Sequence, residues 1–370
     1  MLKAYKYELA PTEEQKQQLN GAFGSCRAVY NLALETKNRA YQAGKNLTCF
    51  DLIKQLPDLK EEFVWLKEVP SQSLQQAISN LDNAFTNFFK GRASFPNFKK
   101  KNSKQSFRIP ISIRVNFETN CVRLPKYGDV KFYNSRKFGG DVKQATVSKT
   151  TTGRYFISIL VEDHKNIPLK KEIKESTTIG IDLGLKHFAI LSDGTKIENP
   201  RFLVKAQKDL KVQQRSLARK KKGSKRREKQ KIVVAKLHEK VSNQRKDFLH
   251  KLSTQIVNEY DSIAIENLNV SGMIKNKNLA KHIADVSWGT FESYLKYKAE
   301  WYGKNILQIG RFEPSSKMCS CGKVNNQLKL SQREWVCTSC GSIHDRDILA
   351  ANNIKKFGLG QIQANVKVKQ

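Results

Sequence analysis

At 370 residues the chain is long enough for two or three domains of roughly 150 residues, and 67 Lys and Arg against 34 Asp and Glu leave it with a formal charge of +33. Its 39% hydrophobic content excludes a disordered polycation, and the excess charge argues against an ordinary metabolic enzyme with no polyanionic partner. Nucleic acid is the expected partner.

No stretch approaches 18 consecutive apolar residues, and the opening MLKAYKYELAPTEEQ lacks the apolar core and small-residue cleavage site of a signal peptide. A cytoplasmic protein is expected, nucleoid-associated when bound to DNA. Four of the seven cysteines crowd between Cys319 and Cys340. In a reducing compartment that cluster points to metal, and Cys26, Cys49 and Cys121 read as core filler or inert thiols.

Residues 2–9 alternate as a strand, with Lys3, Tyr5 and Tyr7 on one side, until Pro11 interrupts. Thr12 and Gln15 have the capping-box form, and Leu19, Phe23, Cys26 and Tyr30 follow at helical spacing, so a helix begins near Thr12. Leu74, Ile78, Leu81, Phe85 and Phe88 or Phe89 predict a second long helix over 71–89. In the following GRASFPNFKKKNSKQSFRIP, Arg92, Lys99, Lys100, Lys101 and Lys104 are interleaved with Phe95, Phe98 and Phe107. Cations for phosphates beside rings for bases suit a single-stranded or bent nucleic acid. The plainer alternative is a solvated loop pinned by buried rings.

Short strands at 121–124, 130–133, 144–147 and 155–161, punctuated by Gly128, Gly139-Gly140 and Thr152-Gly153, predict a small β-barrel. The first strand could complete it, which would make the helical module an insertion. From Thr177, TTIGIDLGLKHFAILSDGTKIEN reads as a buried strand, a bend, a second strand and an Asp-Gly hairpin. Residues 201–250 hold 18 Lys and Arg against 4 Asp and Glu, including the run 219–227 with Arg219, Lys220, Lys221, Arg226 and Arg227. Val234, Leu237, Val241, Phe248, Leu252 and Ile256 keep an apolar stripe through it. A helical hairpin turning near Gly223-Ser224 is expected, one face on its domain and the other on phosphates; left unbound, so much charge would repel itself. YDSIAIENL reads as another buried strand. Residues 288–301 read as a helix presenting Trp288, Phe291, Leu295 and Tyr302, and 305–309 as a further strand.

Three carboxylates stand where strand meets loop or helix: Asp182 in IGIDLG, Glu266 after the ladder Ile263, Ala264, Ile265, and Asp347 opening DILAANNI. Two such charges 4 Å apart repel by about 4 kcal/mol at an effective dielectric near 20. A divalent cation resolves that conflict. Hard oxygen ligands with open coordination positions suit Mg²⁺, and two ions together serve phosphodiester hydrolysis. Singly, Asp182 could cap a turn, Glu266 could pair with a lysine and Asp347 could be an N-cap. Together, in so cationic a chain, they favour a nuclease. The second constellation is CysSerCysGly at 319–322 and CysThrSerCysGly at 337–341. Cys319, Cys321, Cys337 and Cys340 fit one structural tetrahedral Zn²⁺, although the first pair is a shortened C-x-C. His344 is close enough in sequence to substitute.

In their order, IGIDLGLKHFAILSDG, IAIENLNV, SWGTFESYLKYKAEWYG, the cysteine pairs and RDILAANNI resemble TnpB, the transposon-encoded family of RNA-guided DNA nucleases related to type V CRISPR effectors. CRAVYN at 26–31 and the segment 74–101 extend the match over essentially the whole chain. The resemblance implies a multidomain α/β protein. Its parts would be a wedge β-barrel (1–10 and 105–170), an inserted helical recognition module (11–104), a RuvC-like nuclease domain of RNase H fold (171–313 and 344–360), a zinc ribbon (314–343) and a basic tail (361–370). The family's catalytic carboxylates fall on Asp182, Glu266 and Asp347. Asp347 is preferred to Asp345 because it stands directly before the family's x-N-A-A-x-N-I pattern, in which Leu349 replaces a frequent Asn.

The resemblance further implies a guide RNA from the transposon end, a short target-adjacent motif on double-stranded DNA and double-strand breaks, by a protein monomeric in the ribonucleoprotein. A heteroduplex of up to ~20 bp would be recognised through its backbone and shape. Gln72, Gln75, Gln76, Ser106 and Phe107 are candidates for reading the adjacent motif. Residues 270–285 would form a lid over the carboxylates. The competing readings are a transposase catalysing strand transfer and a non-cutting RNA-guided repressor; three intact carboxylates argue against the latter.

Overall fold

The computed structural model describes the chain except residues 103, 277, 330, 331 and 368–370, with side chains followed as far as residue 360. It divides into two compact units, Met1–Lys165 and Asn166–Gln370. None of its helices among the described residues is long and apolar enough to cross a membrane.

The first unit opens with β1 (Leu2–Ala10), followed by α1 (Glu13–Gln42), α2 (Cys49–Lys54), α3 (Leu56–Glu62) and α4 (Ser71–Phe89). The start of α1 is capped reciprocally: the Gln15 N–H donates to Thr12 Oγ1 and the Thr12 N–H to Gln15 Oε1. In α4 the buried Leu74, Ala77, Ile78, Leu81 and Phe85 recur every three or four residues, which turns one stripe to the core. Six strands follow: β2 (Gln105–Ile109), β3 (Arg114–Asn116), β4 (Cys121–Leu124), β5 (Gly128–Phe132), β6 (Asp141–Lys149) and β7 (Tyr155–Glu162).

The seven strands form one sheet in the order β2-β6-β7-β1-β5-β4-β3, every pairing antiparallel. The first strand therefore sits at the centre, and the helices are inserted between it and the rest. Of the expected barrel the structure shows this sheet; its hydrogen-bond ladder ends at β2 and β3, with no pairing between those two among the described residues. Leu19, Phe23, Leu74 and Leu81 from the helices share a single buried core with Phe107, Val130 and Ile157 from the strands.

The second unit contains β8 (Thr178–Leu183), β9 (His187–Leu191), β10 (Lys196–Glu198), α5 (Phe202–Arg219), α6 (Lys225–Glu259) and β11 (Ser262–Ile265). Next come α7 (Val270–Met273), α8 (Ala280–Val286), α9 (Trp288–Trp301), β12 (Asn305–Gln308), β13 (Glu334–Val336), β14 (Ile343–Asp345) and α10 (Arg346–Lys367). The main sheet runs β10-β9-β8-β11-β12: an antiparallel meander of the first three strands, extended by β11 and β12, which pair parallel to β8 and to each other. Helix α10 lies directly on this sheet because two glycines leave it room. A Cβ at Gly180 of β8 would overlap the Ala351 carbonyl, and one at Gly358 of α10 would press on Ala264 of β11 at 3.0 Å.

In α9, Trp288, Phe291 and Leu295 are buried as the spacing predicts, but Tyr302 lies one residue past the helix and is half exposed. The expected tail does not start at 361, since α10 continues to Lys367; residues 368–370 lie outside the described residues. The 270–285 segment, in which Lys277 is not described, holds α7 and most of α8. Its end is fixed by Asp285, which meets Arg245 at 2.7 Å and accepts from the Leu203 N–H.

Candidate functional site

Asp182 and Glu266 become neighbours through strand register. In the parallel pairing of β8 with β11, Ile181 stands opposite Ile265, so Asp182 and Glu266 are the next residues along, at the carboxyl ends of adjacent strands about 4.8 Å apart. The ends of parallel strands are where an open α/β sheet gathers ligands. The third carboxylate comes from the first turn of α10, the helix that the two glycines bring down onto these strands. Close packing around the Asp182 carboxyl, then the charges of Glu266 and Asp347, push it up to about 7 against the opposing pull of Arg346 and Arg333. Glu266 and Asp347 thus both act electrostatically on Asp182.

Asp347 and Glu266 are also held by neighbours that sequence reasoning missed. Arg333 Nη1 donates to both oxygens of Asp347, at 2.9 and 2.8 Å, and Arg346 adds a contact at 3.2 Å. Ser315 Oγ donates to Glu266 Oε1 at 2.7 Å. Asp345 has a different task from Asp347. Its Oδ1 accepts the N–H groups of Asp347 and Ile348, capping α10, and its Oδ2 accepts from Lys196 Nζ at 2.6 Å. Burial raises its carboxyl, but Lys196 and the two capping N–H groups outweigh that and hold it below the ordinary value.

The four cysteines come together as the spacing predicts. Their sulfurs lie within 4.8 Å of one another, and among the described residues this is the one set of three or more Cys, His, Asp or Glu ligand atoms gathered so tightly. Gly322 and Gly341, at φ +89° and +73°, turn the backbone behind each pair, so the shortened C-x-C does not keep the halves apart. The four thiols share their protons unevenly: hydrogen bonds from the Ser342 hydroxyl and backbone N–H hold the Cys340 thiol down, whereas Cys321, despite a backbone hydrogen bond from Lys323, is pushed up by the thiols around it. His344 Nε2 lies 3.0 Å from Cys319 Sγ and its ring sits against Trp335. Leu349 of α10, where the family pattern has a polar residue, packs with Cys319, Leu328, Trp335 and Cys337 in the small core of this ribbon.

The nucleic-acid candidates divide. In the first unit Lys99, Lys100, Lys104 and Ser106 line one concavity with Arg27 and Arg108, a cluster of cations around a hydroxyl. Phe107 borders the same concavity, but it is only 4% exposed and its ring packs on Phe23 and Tyr127 as the inward residue of β2. Gln72 and Gln75 are exposed on α4 and Gln76 is half-buried. In the second unit the hairpin turns at Gly223 as expected, with Ser224 capping α6 through the Arg227 N–H. Arg219, Lys221 and Arg226 are exposed at its tip and Lys220 is half-buried. Arg227 instead closes the tip, donating from Nη1 to the carbonyls of Leu217 and Lys220 at 2.7 and 2.8 Å.

A mixed sheet with acidic residues at its parallel strand ends, a four-thiol ribbon inserted before the helix that supplies the third acid, and basic surfaces on both units define a nucleic-acid enzyme of the nuclease and transposase class. Three family profiles match the chain: one described as "Probable transposase" over residues 156–277, a Cas12f1-like TNB domain over 288–354, and a helix-turn-helix domain over 1–46. A protein of Streptomyces pristinaespiralis named "Putative RNA-guided DNA endonuclease" is 38% identical, with 96% of this chain and 89% of that protein covered. A protein of Escherichia coli K12 described in the same words is 34% identical over 96% of this chain and 92% of its own length. Among solved structures, the Cas12f1 chain of a cryo-EM complex with sgRNA and target DNA shares the fold, with a TM-score of 0.57 at 13% identity over 96% of this chain and 98% of that one. The chain belongs to the TnpB family.

Proposed function

We propose that this protein is an RNA-guided, Mg²⁺-dependent DNA endonuclease that makes double-strand breaks, with a RuvC-like centre built on Asp182, Glu266 and Asp347. The single observation that carries the reading is the placement of Asp182 and Glu266 at the adjoining ends of two parallel strands, with the helix that begins at Asp347 packed against them. A carboxyl at one strand end that feels the charges of two others, from the neighbouring strand and from a helix, is what divalent cations would relieve. The oxygen-only donor set fits Mg²⁺ and the four thiols fit one structural Zn²⁺. When bound, the magnesium ions would supply charge neutralisation to the phosphodiester and its leaving oxygen.

The chain's own residues do the rest. Ser315 orients Glu266, Asp345 caps the helix that carries Asp347, and Arg333 and Arg346 hold Asp347 while adding positive charge where a phosphate would arrive. In this reading residues 270–285 act as the lid, tied down at Asp285. The cationic concavity of the first unit and the tip of the α5–α6 hairpin grip guide RNA and target backbone, and Gln72, Gln75 and Gln76 stand near the adjacent motif. The domain boundaries follow the family: helical module 11–104 inside a wedge of 1–10 and 105–170, nuclease domain 171–313 and 344–360, ribbon 314–343.

The test is purification from cells that also express the flanking transposon DNA. A discrete RNA should copurify, and the complex should cut duplex DNA matching that RNA only in Mg²⁺. Joining of DNA ends without RNA would make it a strand-transfer enzyme, and binding without cutting would make it a repressor.

A further inference from the structure

The ribbon is fastened to the carboxylate site at both of its ends. At its entry, residues 314–318 form a tight turn in which the N–H groups of Lys317 and Met318 both donate to the Pro314 carbonyl, at 3.1 and 3.0 Å. Cys319, the first of the four thiols, follows at once. Within the turn Ser315 is buried, 7% exposed, and spends its hydroxyl on Glu266. From the opposite side Asn353, a buried residue of α10, donates through Nδ2 to the carbonyls of Ser315 and Met318, at 2.7 and 2.6 Å. At the ribbon's exit the Arg346 N–H donates to the Arg333 carbonyl at 2.7 Å, and the Arg333 guanidinium grips Asp347. Between these ends Leu349 inserts from α10 among Cys319, Leu328, Trp335 and Cys337.

The terminal torsion of a glutamate is broad and roughly two-fold, so packing alone fixes the plane of its carboxyl poorly. A hydrogen bond from a rigid donor fixes it well, and Ser315 is rigid because Asn353 pins its own carbonyl and that of Met318 at the far end of the turn. We infer that Ser315 is a positioning residue for Glu266, and that the folded, metal-loaded ribbon governs how tightly the carboxylate site takes up divalent ions. The inference rests on the carboxylate reading given above. The ribbon is then a regulator of the nuclease centre. Losing its metal loosens Cys319, the turn beside it and the orientation of Glu266 in sequence.

The experiment measures Mn²⁺ affinity by electron paramagnetic resonance on the full chain stripped of nucleic acid, with no cleavage step. The wild type should show Mn²⁺ binding that Asp182→Ala abolishes. Ser315→Ala should weaken that binding about tenfold, the usual effect of losing a hydrogen bond to a metal ligand. Ser315→Thr, which keeps the hydroxyl, should restore it, and Cys337→Ser should weaken it at least as much as Ser315→Ala. Wild-type affinity in both Ser315→Ala and Cys337→Ser would overturn this inference and leave the carboxylate reading standing. A Ser315→Thr protein as weak as Ser315→Ala would assign the loss to packing and overturn the positioning role. Absence of any Mn²⁺ site sensitive to Asp182→Ala would overturn the carboxylate reading and this inference with it.

Discussion

Arg333 and Asp347 are joined through both carboxylate oxygens, from a single guanidinium nitrogen at 2.9 and 2.8 Å. The arginine side chain is half exposed and the aspartate nearly buried, 48% against 15%. This geometry makes Arg333 a counter-cation of the carboxylate whose charge bears on Asp182. In chelator, Arg333→Gln should therefore lower unfolding stability by about 1 kcal/mol, the low end for a charge-assisted hydrogen bond with one partner in water. Saturating Mg²⁺ should shrink the difference, because the ion takes over the neutralisation. Urea unfolding with and without the metal checks this; an identical deficit under both conditions would separate Arg333 from the metal site.

Asp182 lies on β8 among apolar strand residues and its replacement removes no cation, so it should separate cutting from binding. Asp182→Ala is expected to abolish cleavage and to leave the affinity of the ribonucleoprotein for target DNA within about twofold of wild type, since affinity rests on phosphate contacts made elsewhere. Filter binding and cleavage on the same preparation decide it. Parallel loss of both activities would contradict that division.

Much of this site was legible in the sequence because its parts obey local rules. The Thr12–Gln15 capping box, the apolar stripe of α4 and the glycines behind each cysteine pair announce themselves within a few residues. What escaped was set by contacts distant in sequence. Ser315 and Glu266 are 49 residues apart and Asn353 is 38 from Ser315, and no periodicity marks either pair. The short strands β2 and β3 were hidden in a basic stretch, and with them the inward register of Phe107. Charge there outweighed alternation, although Phe107 and Ile109 already showed the period of two. The structural part of Arg227 was hidden for the same reason: it stands in a run of like charges, and only the folded hairpin shows that it closes the turn.

Lys298 supplies a pH dependence that owes nothing to the carboxylates. It is 6% exposed, and its ammonium is met by the His250 carbonyl and the hydroxyls of Ser253 and Thr254 at 2.6–2.7 Å. Burial pulls it down to about 8 from 10.5. Between those two values the unfolded chain holds a proton at this residue that the folded chain has released, so Lys298 adds stability as pH climbs from about 8 to about 10.5, against the opposite contribution of Cys26, whose buried thiol is pushed from 9.0 up to about 12. The contribution should be about 3 kcal/mol, and the stability of the wild type relative to Lys298→Met should rise by that amount over the window. Thermal unfolding across the range, wild type beside variant, measures it. Equal slopes would mean that Lys298 keeps an ordinary affinity for its proton.

The tip of the α5–α6 hairpin offers a way to distinguish cations that bind phosphate from one that builds the fold. Lys221 and Arg226 are exposed there, and replacing both by Gln should weaken RNA binding at physiological salt. The slope of log affinity against log salt should fall by about 0.7 for every single-strand phosphate that goes without its cation, hence by roughly 1.4 for the pair. Arg227→Gln differs in kind, because that guanidinium holds the Leu217 and Lys220 carbonyls. It should speed hydrogen exchange at the ends of α5 and α6 and reduce affinity with a much smaller change in slope, since the charges of its neighbours remain. Salt titrations of the three proteins with the copurified RNA carry the comparison. An unchanged slope in the Lys221→Gln, Arg226→Gln protein would take the hairpin tip out of the RNA interface.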